Sequence, residues 1–216
     1  MKKSIFSLII SLFFIEALYA QLIKETYEYY NNGQLKSEGL IADGKKEGLW
    51  KFFYPNGVLN TYGSYKNDEM QGEWKTYHQD ASLSSIENWK DGVNSGLWQY
   101  FYPNGQIKKE GDFTDGLYVG VWKHYHQNGK LKREGAYQGG LPNGLWKFYD
   151  EQANIEFEGN YKNGKEDGRW KKYYPNGQIF WEGTYKEGKE NGLWKYYNKK
   201  GKLKQEVNYK DGEIIE

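Results

Sequence analysis

The chain has no cysteine, four prolines, two methionines and a formal net charge of only +1 over 216 residues. Without cysteine there is no disulfide, no thiolate nucleophile, no thiolate metal site and no lipid-bearing N-terminal cysteine. A near-neutral charge balance excludes the long-range basic field that gathers nucleic acid or anionic lipid. Aliphatic residues are scarce too, so a thick core of Leu, Ile and Val is not available. What is abundant is glycine (27), tyrosine (21), phenylalanine (10) and tryptophan (9). A chain of this kind buries apolar surface as aromatic layers between repeated units.

The repeat is visible directly. "GLWKFFYPNG" from Gly48 returns as "GLWQYFYPNG" from Gly96 and "GRWKKYYPNG" from Gly168. Gly-x-Trp places Trp50, Trp74, Trp98, Trp122, Trp146, Trp170 and Trp194 at intervals of 24 residues without insertion or deletion. With Gly48 as position one, position six is always aromatic (Phe53, Tyr77, Phe101, Tyr125, Tyr149, Tyr173, Tyr197) and position twelve always Leu or Ile. Position sixteen is mostly glycine, and position eighteen is aromatic from Tyr65 to Tyr209. A degenerate copy fits Lys24–Glu47, with Thr26 where the tryptophan belongs. The predicted organisation is an array of about eight repeats over residues 21–216.

The opening "MKKSIFSLIISLFFIEALYA" has a basic start, a short apolar run and Ala20 before a polar residue. It predicts a cleaved secretory signal peptide over residues 1–20, and hence a secreted or periplasmic protein. Without Lys2, Lys3 and Glu16, the thirty basic and twenty-nine acidic residues become twenty-eight of each.

Within a repeat, "WKFFYPNGVLNTYGSY" predicts strand, turn, strand. Pro55 and Asn56 suit the centre of a type I turn, with Gly57 as the left-handed residue after it. That turn sets Tyr173 opposite Ile179. A two-residue Asn-Gly turn would slip the register by one and set Lys171 opposite Glu182 and Trp170 opposite Gly183. Positions three and six cannot share a face of a regular strand, so either a bulge separates them or each face carries its own aromatics. Segments such as "KNGKEDG" and "KEGKENG" read as polar, Gly-rich surface loops. The fold class expected is all-β: an elongated single-sheet array of stacked antiparallel hairpins. At ~4.8 Å per strand, eight repeats would span about 75 Å.

Gly-x-Trp, the aromatic at six, Asn-Gly at the turn, Glu-Gly at fifteen and sixteen, and the aromatic at eighteen resemble the MORN repeat, in the variant form of many bacterial proteins. The resemblance covers residues 24–215. It implies hairpins used as protein or lipid contact surfaces, and some members are labelled YwqK-like antitoxin components. Departures are Ala81 and Ala153 for turn glycine, Val207 at position sixteen and Asp68 in a loop, which predict less regular turns.

No enzyme is predicted. The glutamate column (Glu38, Glu110, Glu134, Glu158, Glu182, Glu206) is repeated, whereas acid–base catalysis needs two carboxylates in different environments. Opposite the lysine column it reads as a cross-strand ladder. His124 and His126 would lie on one strand face, but His78 is roughly 19 Å away by strand spacing. They read as substitutions in aromatic columns, and no metal or other cofactor is assigned. The seven Gly-x-Trp tryptophans are assigned to structure. The candidate contact surface is Tyr54, Tyr100, Tyr102, Phe148, Tyr174 and Tyr196, read as exposed rings in a row that serve either to contact a partner or to shield the single-layer sheet from water. The function expected is a non-enzymatic exported scaffold that binds another protein, antitoxin-like when that partner is a toxin. The alternative is an envelope glycan-binding module. A membrane surface is the weaker third partner, and nucleic acid is excluded.

Overall fold

The computed structural model describes residues 23–215; the expected signal peptide and its cleavage point lie outside them. The described residues are all-β and divide into two compact units at Val93/Asn94. The N-terminal unit contains β1 (Ile23–Tyr29), β2 (Leu35–Ala42), β3 (Lys45–Phe53), β4 (Leu59–Lys66), β5 (Glu69–Tyr77) and β6 (Leu83–Lys90). The two-residue β7 (Val93–Asn94) lies at the division. The C-terminal unit follows with β8 (Gly96–Phe101), β9 (Ile107–Thr114), β10 (Leu117–Tyr125), β11 (Leu131–Gln138), β12 (Leu141–Tyr149) and β13 (Ile155–Lys162). It ends with β14 (Lys165–Tyr173), β15 (Ile179–Lys186), β16 (Lys189–Tyr197), β17 (Leu203–Lys210) and β18 (Glu213–Ile215). In each unit consecutive strands pair antiparallel, as stacked hairpins should.

Both registers allowed by the sequence occur, in one hairpin. Tyr173 faces Ile179, yet Lys171 faces Glu182 and Trp170 faces Gly183, because the register shifts between Lys172 and Tyr173 and leaves Phe180 unopposed. The Pro-Asn-Gly turn sets the first pairing. Gly57 donates to the Tyr54 carbonyl at 2.8 Å and has φ of 82°. The bulge then restores the Lys–Glu and Trp–Gly pairings. Ala81 and Ala153 make the same turn rather than a less regular one, at φ of 66° and 72°. That is an unfavourable conformation for a residue with a Cβ.

The polar segments between hairpins differ from the sequence expectation of loops. Asn163 and Gly164 alone form the connection, both at positive φ (52° and 83°), and Lys162 pairs directly with Lys165. These are two-residue type I′ turns, and "KEDG" is already β14. Polar residues were legible there, but pairing was not, because both strand ends are solvated.

The two faces of the strands carry different aromatics, which settles the relation of positions three and six. One face holds the tryptophans, six per cent exposed or less. Trp122–Tyr137–Trp146 and Trp146–Tyr161–Trp170, and Trp50–Tyr65–Trp74 in the N-terminal unit, meet edge-to-face with ring centroids 5.0–6.4 Å apart. Trp Nε1 donates to the backbone carbonyl ten residues earlier, as Trp50 to Leu40 and Trp146 to Ala136. A backbone acceptor explains why side chains at that column vary freely. The glycine at position sixteen makes the seat. A Cβ at Gly63 or Gly135 would overlap the indole of Trp74 or Trp146.

The opposite face holds the ladder. Glu158 faces both Lys147 and Lys171, and accepts from the Tyr173 hydroxyl at 2.6 Å. Glu182 accepts from Arg169 and Tyr197. Burial pushes its carboxyl up, but those two donors and Lys171 more than offset it and hold it below the usual range. Tyr149 is pushed up to about 12 by burial and by its bond to Glu134.

Candidate functional site

The six aromatic residues singled out from the sequence are all half-buried and fall into two places, not one exposed row. Tyr54, Tyr102 and Tyr174, at position seven, sit beside the turns. Each hydroxyl donates at 2.9 Å to the backbone carbonyl of position six in the next repeat: Tyr77, Tyr125 and Tyr197 respectively. Tyr30 repeats the clasp on Phe53 at 2.7 Å, and His126 places Nε2 2.9 Å from the Tyr149 carbonyl. The ring spans one repeat to the next, so its polar tip is already engaged within the fold.

Tyr100, Phe148 and Tyr196, at position five, lie on the tryptophan face. Trp98–Tyr100 and Trp146–Phe148 have centroids 5.9 and 6.2 Å apart. Each belongs to a row that crosses the strands in direct register. In the C-terminal unit Tyr100 on β8 faces Lys109 on β9, and Lys109 also faces His124 on β10. His124 faces Arg133 on β11, which faces Phe148 on β12. Phe148 faces Phe157, Phe157 faces Lys172, Lys172 faces Trp181, and Trp181 faces Tyr196. The row therefore sets cations among rings and contains no carboxylate. Position fourteen, which supplies Lys109, Arg133, Phe157 and Trp181, was missed from the sequence because its residue type changes from repeat to repeat. Its signal was only the absence of acidic residues.

The cations lie against the rings. Lys109 Nζ is 4.1 Å from the Tyr100 centroid, and Lys172 Nζ is 4.8 Å from that of Phe157. His124 is held down to about 4, first by burial and then by the charges of Arg133, Lys109 and Lys132. It is neutral at pH 7. His124 and His126 do not converge on one point, since His126 is the clasp and His124 the row. Among the described residues no group of three or more His, Cys, Asp or Glu could hold a metal ion. No helix among them is long and apolar enough to cross a membrane.

The N-terminal unit fills the same row differently. Ser37, Phe52, Thr61, Thr76 and Ser85 succeed one another across β2–β6. The short side chains leave a groove walled by Phe52, Tyr65 and Trp74.

No curated protein matches the chain. Two solved structures are similar to it over 86% of its length: a TcdB2–TccC3–TEV crystal structure, at 13% identity and TM-score 0.24, and a TcdB2–TccC3 crystal structure, at 11% and 0.20. The chain spans 13% and 14% of those chains. The model of the MORN repeat variant family matches residues 24–43, 46–67, 95–115, 118–138, 142–163, 166–187 and 190–211. It passes over the repeat in which Ile86 and Glu87 replace Glu-Gly, although β5 and β6 form the same bulged hairpin there. With buried Gly-x-Trp residues, position-sixteen glycines seating them and the family model matching most of its length, the chain belongs to the MORN repeat variant family.

Proposed function

We propose that this protein is a non-enzymatic, exported scaffold that binds another protein through the tryptophan face of its hairpins. Repeats of this family are protein- or membrane-binding modules. The observation that carries the choice of surface is the row from Tyr100 to Tyr196. It presents cations and rings in register on every strand, while the ladder on the opposite face spends its charges on itself. Aromatic residues and arginine are the side chains that anchor protein interfaces. An antitoxin-like role is the special case in which the partner is a toxin.

The test is capture of partners from envelope extract by the protein lacking residues 1–20. Wild type is compared with a variant in which Lys109, Arg133 and Lys172 become Thr. A partner held by wild type and lost by the folded variant supports the reading; a partner held equally by both removes the row from it. Export is tested by fractionation and N-terminal sequencing, with Gln21 expected as the first residue.

The groove in the N-terminal unit favours a second reading, an envelope glycan-binding module. Rings walling a cleft floored by Thr61 and Thr76 suit a sugar's apolar face. A glycan array separates the two, since Phe52→Ala would abolish a sugar signal arising there and leave protein capture unchanged.

A further inference from the structure

Glycine at position sixteen seats the tryptophan of the strand that follows, and a Cβ there would overlap the indole, as at Gly39, Gly135 and Gly183. Two strands break this column. Glu87 stands on β6, the last long strand before the division between the units. Val207 stands on β17, with Trp194 of β16 opposite it on one side. On its other side β17 pairs with β18 through Asn208, Tyr209 and Lys210, and among the described residues no strand lies opposite Gln205, Glu206 and Val207 there. A strand added at that edge cannot bring a tryptophan to Val207, because the valine carries the Cβ that the glycines avoid. It needs a small residue at position three.

The chain contains such a strand. β1 carries Thr26 at position three, where the other strands of its kind carry tryptophan. It pairs with β2 through one edge, and among the described residues its other edge has no strand. The ladder face repeats the match. Tyr125, Tyr149, Tyr173 and Tyr197, at position six, donate to the glutamate fifteen residues earlier, Glu110, Glu134, Glu158 and Glu182 respectively. Tyr29 is the position-six tyrosine of β1; it is 61% exposed and makes no such bond among the described residues. Glu206 is the position-fifteen glutamate of β17, and it holds Lys195 at 3.5 Å without a tyrosine donor.

We propose that β1 of one copy adds as a strand to the free edge of β17 of another, so that copies of this chain join head to tail. The contact uses strand edges rather than the tryptophan face, and so goes beyond the scaffold reading.

The register follows from β13 and β14, where Phe157 faces Lys172, Glu158 faces Lys171 and Gly159 faces Trp170. The same positions set Gln205 opposite Glu28, Glu206 opposite Tyr27 and Val207 opposite Thr26 of the second copy. Valine and threonine are β-branched and suit a direct cross-strand pair. The Tyr29 hydroxyl then donates to Glu206, as Tyr173 does to Glu158. Charge agrees as well: β1 carries one lysine and two glutamates, β17 two lysines and one glutamate. An unpaired edge is a template for a further strand. A contact between two different surfaces of one chain is heterologous, so each copy keeps one of each free for the next.

The test uses the protein lacking residues 1–20, followed by sedimentation equilibrium over a range of concentrations. Wild type is expected to associate beyond the monomer. Thr26→Trp should abolish association; the variant should itself fold, since Gly39 faces position 26 as Gly63 faces Trp50. Adding Val207→Gly to Thr26→Trp should restore it, because the pair then matches the interior of the array. Tyr29→Phe should weaken it by about tenfold, the scale of one charge-assisted hydrogen bond. Trapping decides the matter even where a variant fails to fold. The chain has no cysteine, and residues directly opposite on paired strands lie about 5 Å apart at Cα, within disulfide reach. Thr26→Cys protein mixed with Val207→Cys protein and oxidised should give the mixed 26–207 disulfide in excess over 26–26 and 207–207. A monomer at every concentration overturns the proposal, as does association that Thr26→Trp leaves intact, a double variant that does not recover, or disulfides in random proportion. A monomeric protein that still captures its envelope partner overturns this inference alone and leaves the scaffold reading standing.

Discussion

The two units put different chemistry into one backbone slot. In the N-terminal unit the row is Ser37, Phe52, Thr61, Thr76 and Ser85, and the hydroxyls are satisfied locally. Thr61 donates to the Lys75 carbonyl at 3.0 Å, Thr76 to Thr61 at 3.1 Å and Ser85 to Glu87 at 3.0 Å. Ser37 and Ser85 are only 2% and 3% exposed, so little of them remains for a ligand. In the C-terminal unit the same register carries Lys109, Arg133 and Lys172, side chains too long and too charged to be closed over, with the neutral His124 among them. The tryptophan frame beneath is common to both. The comparison teaches that the Gly-x-Trp frame is indifferent to what position five and position fourteen carry, which leaves them available for recognition.

The largest expected effect tests whether the frame is in fact shared. Gly63→Ala in the N-terminal unit and Gly135→Ala in the C-terminal unit each drive a Cβ into an indole. Each should cost about 3 kcal/mol in denaturant melts, at the upper end for overpacking. Trp74→Ala and Trp146→Ala should cost roughly 3–5 kcal/mol. Similar losses in the two units would sharpen the comparison. A large loss in one only would show that the units rest on different cores.

Row chemistry should matter much less for stability. Replacing Lys109 and Arg133 by Thr, the composition of the N-terminal row, should shift stability by no more than about 1 kcal/mol, as for partly exposed side chains. A larger loss would mean the cations hold the C-terminal unit together.

His124 gives the C-terminal unit a pH dependence of its own. Its pKa in the folded chain, about 4, lies below the ordinary 6.5. Above about 6.5 the ring is neutral folded or unfolded, and its contribution is complete. As pH falls towards 4 the unfolded chain takes up the proton and the folded chain does not, so stability is lost. After allowance for the ring's partial exposure the loss should be about 1 kcal/mol between pH 7 and 5. Denaturant midpoints of wild type and His124→Phe at both pH values check this, the variant being the flatter one.

Tyr102→Phe removes one clasp and should cost about 1 kcal/mol, the net value of a hydrogen bond to a backbone carbonyl. Tyr54→Phe should cost the same in the N-terminal unit. The smallest effect has the opposite sign. Ala81→Gly and Ala153→Gly relieve a left-handed alanine in either unit and should stabilise by about 0.5 kcal/mol after the entropy of the unfolded glycine is counted. Melting curves of the two variants measure it directly.

Much of this protein was decided by the sequence alone. The 24-residue period, the all-β hairpins, the turn at Pro-Asn-Gly and the burial of the seven tryptophans follow from short-range chemistry repeated in register. Turn residues and strand alternation act over a few positions, and repetition removes ambiguity that a single copy would leave. Tertiary structure decided what needed neighbours in space. Only pairing across the sheet shows that one hairpin contains both registers, joined by a bulge. Only there does Tyr102, from the exposed-looking column, reach a carbonyl 23 residues away. Lys109, His124 and Arg133 lie 15 and 9 residues apart in sequence, with nothing local to link them. They become adjacent because successive strands bring positions fourteen and five face to face, and hydrogen-bonded strands lie closer together than the reach of their side chains.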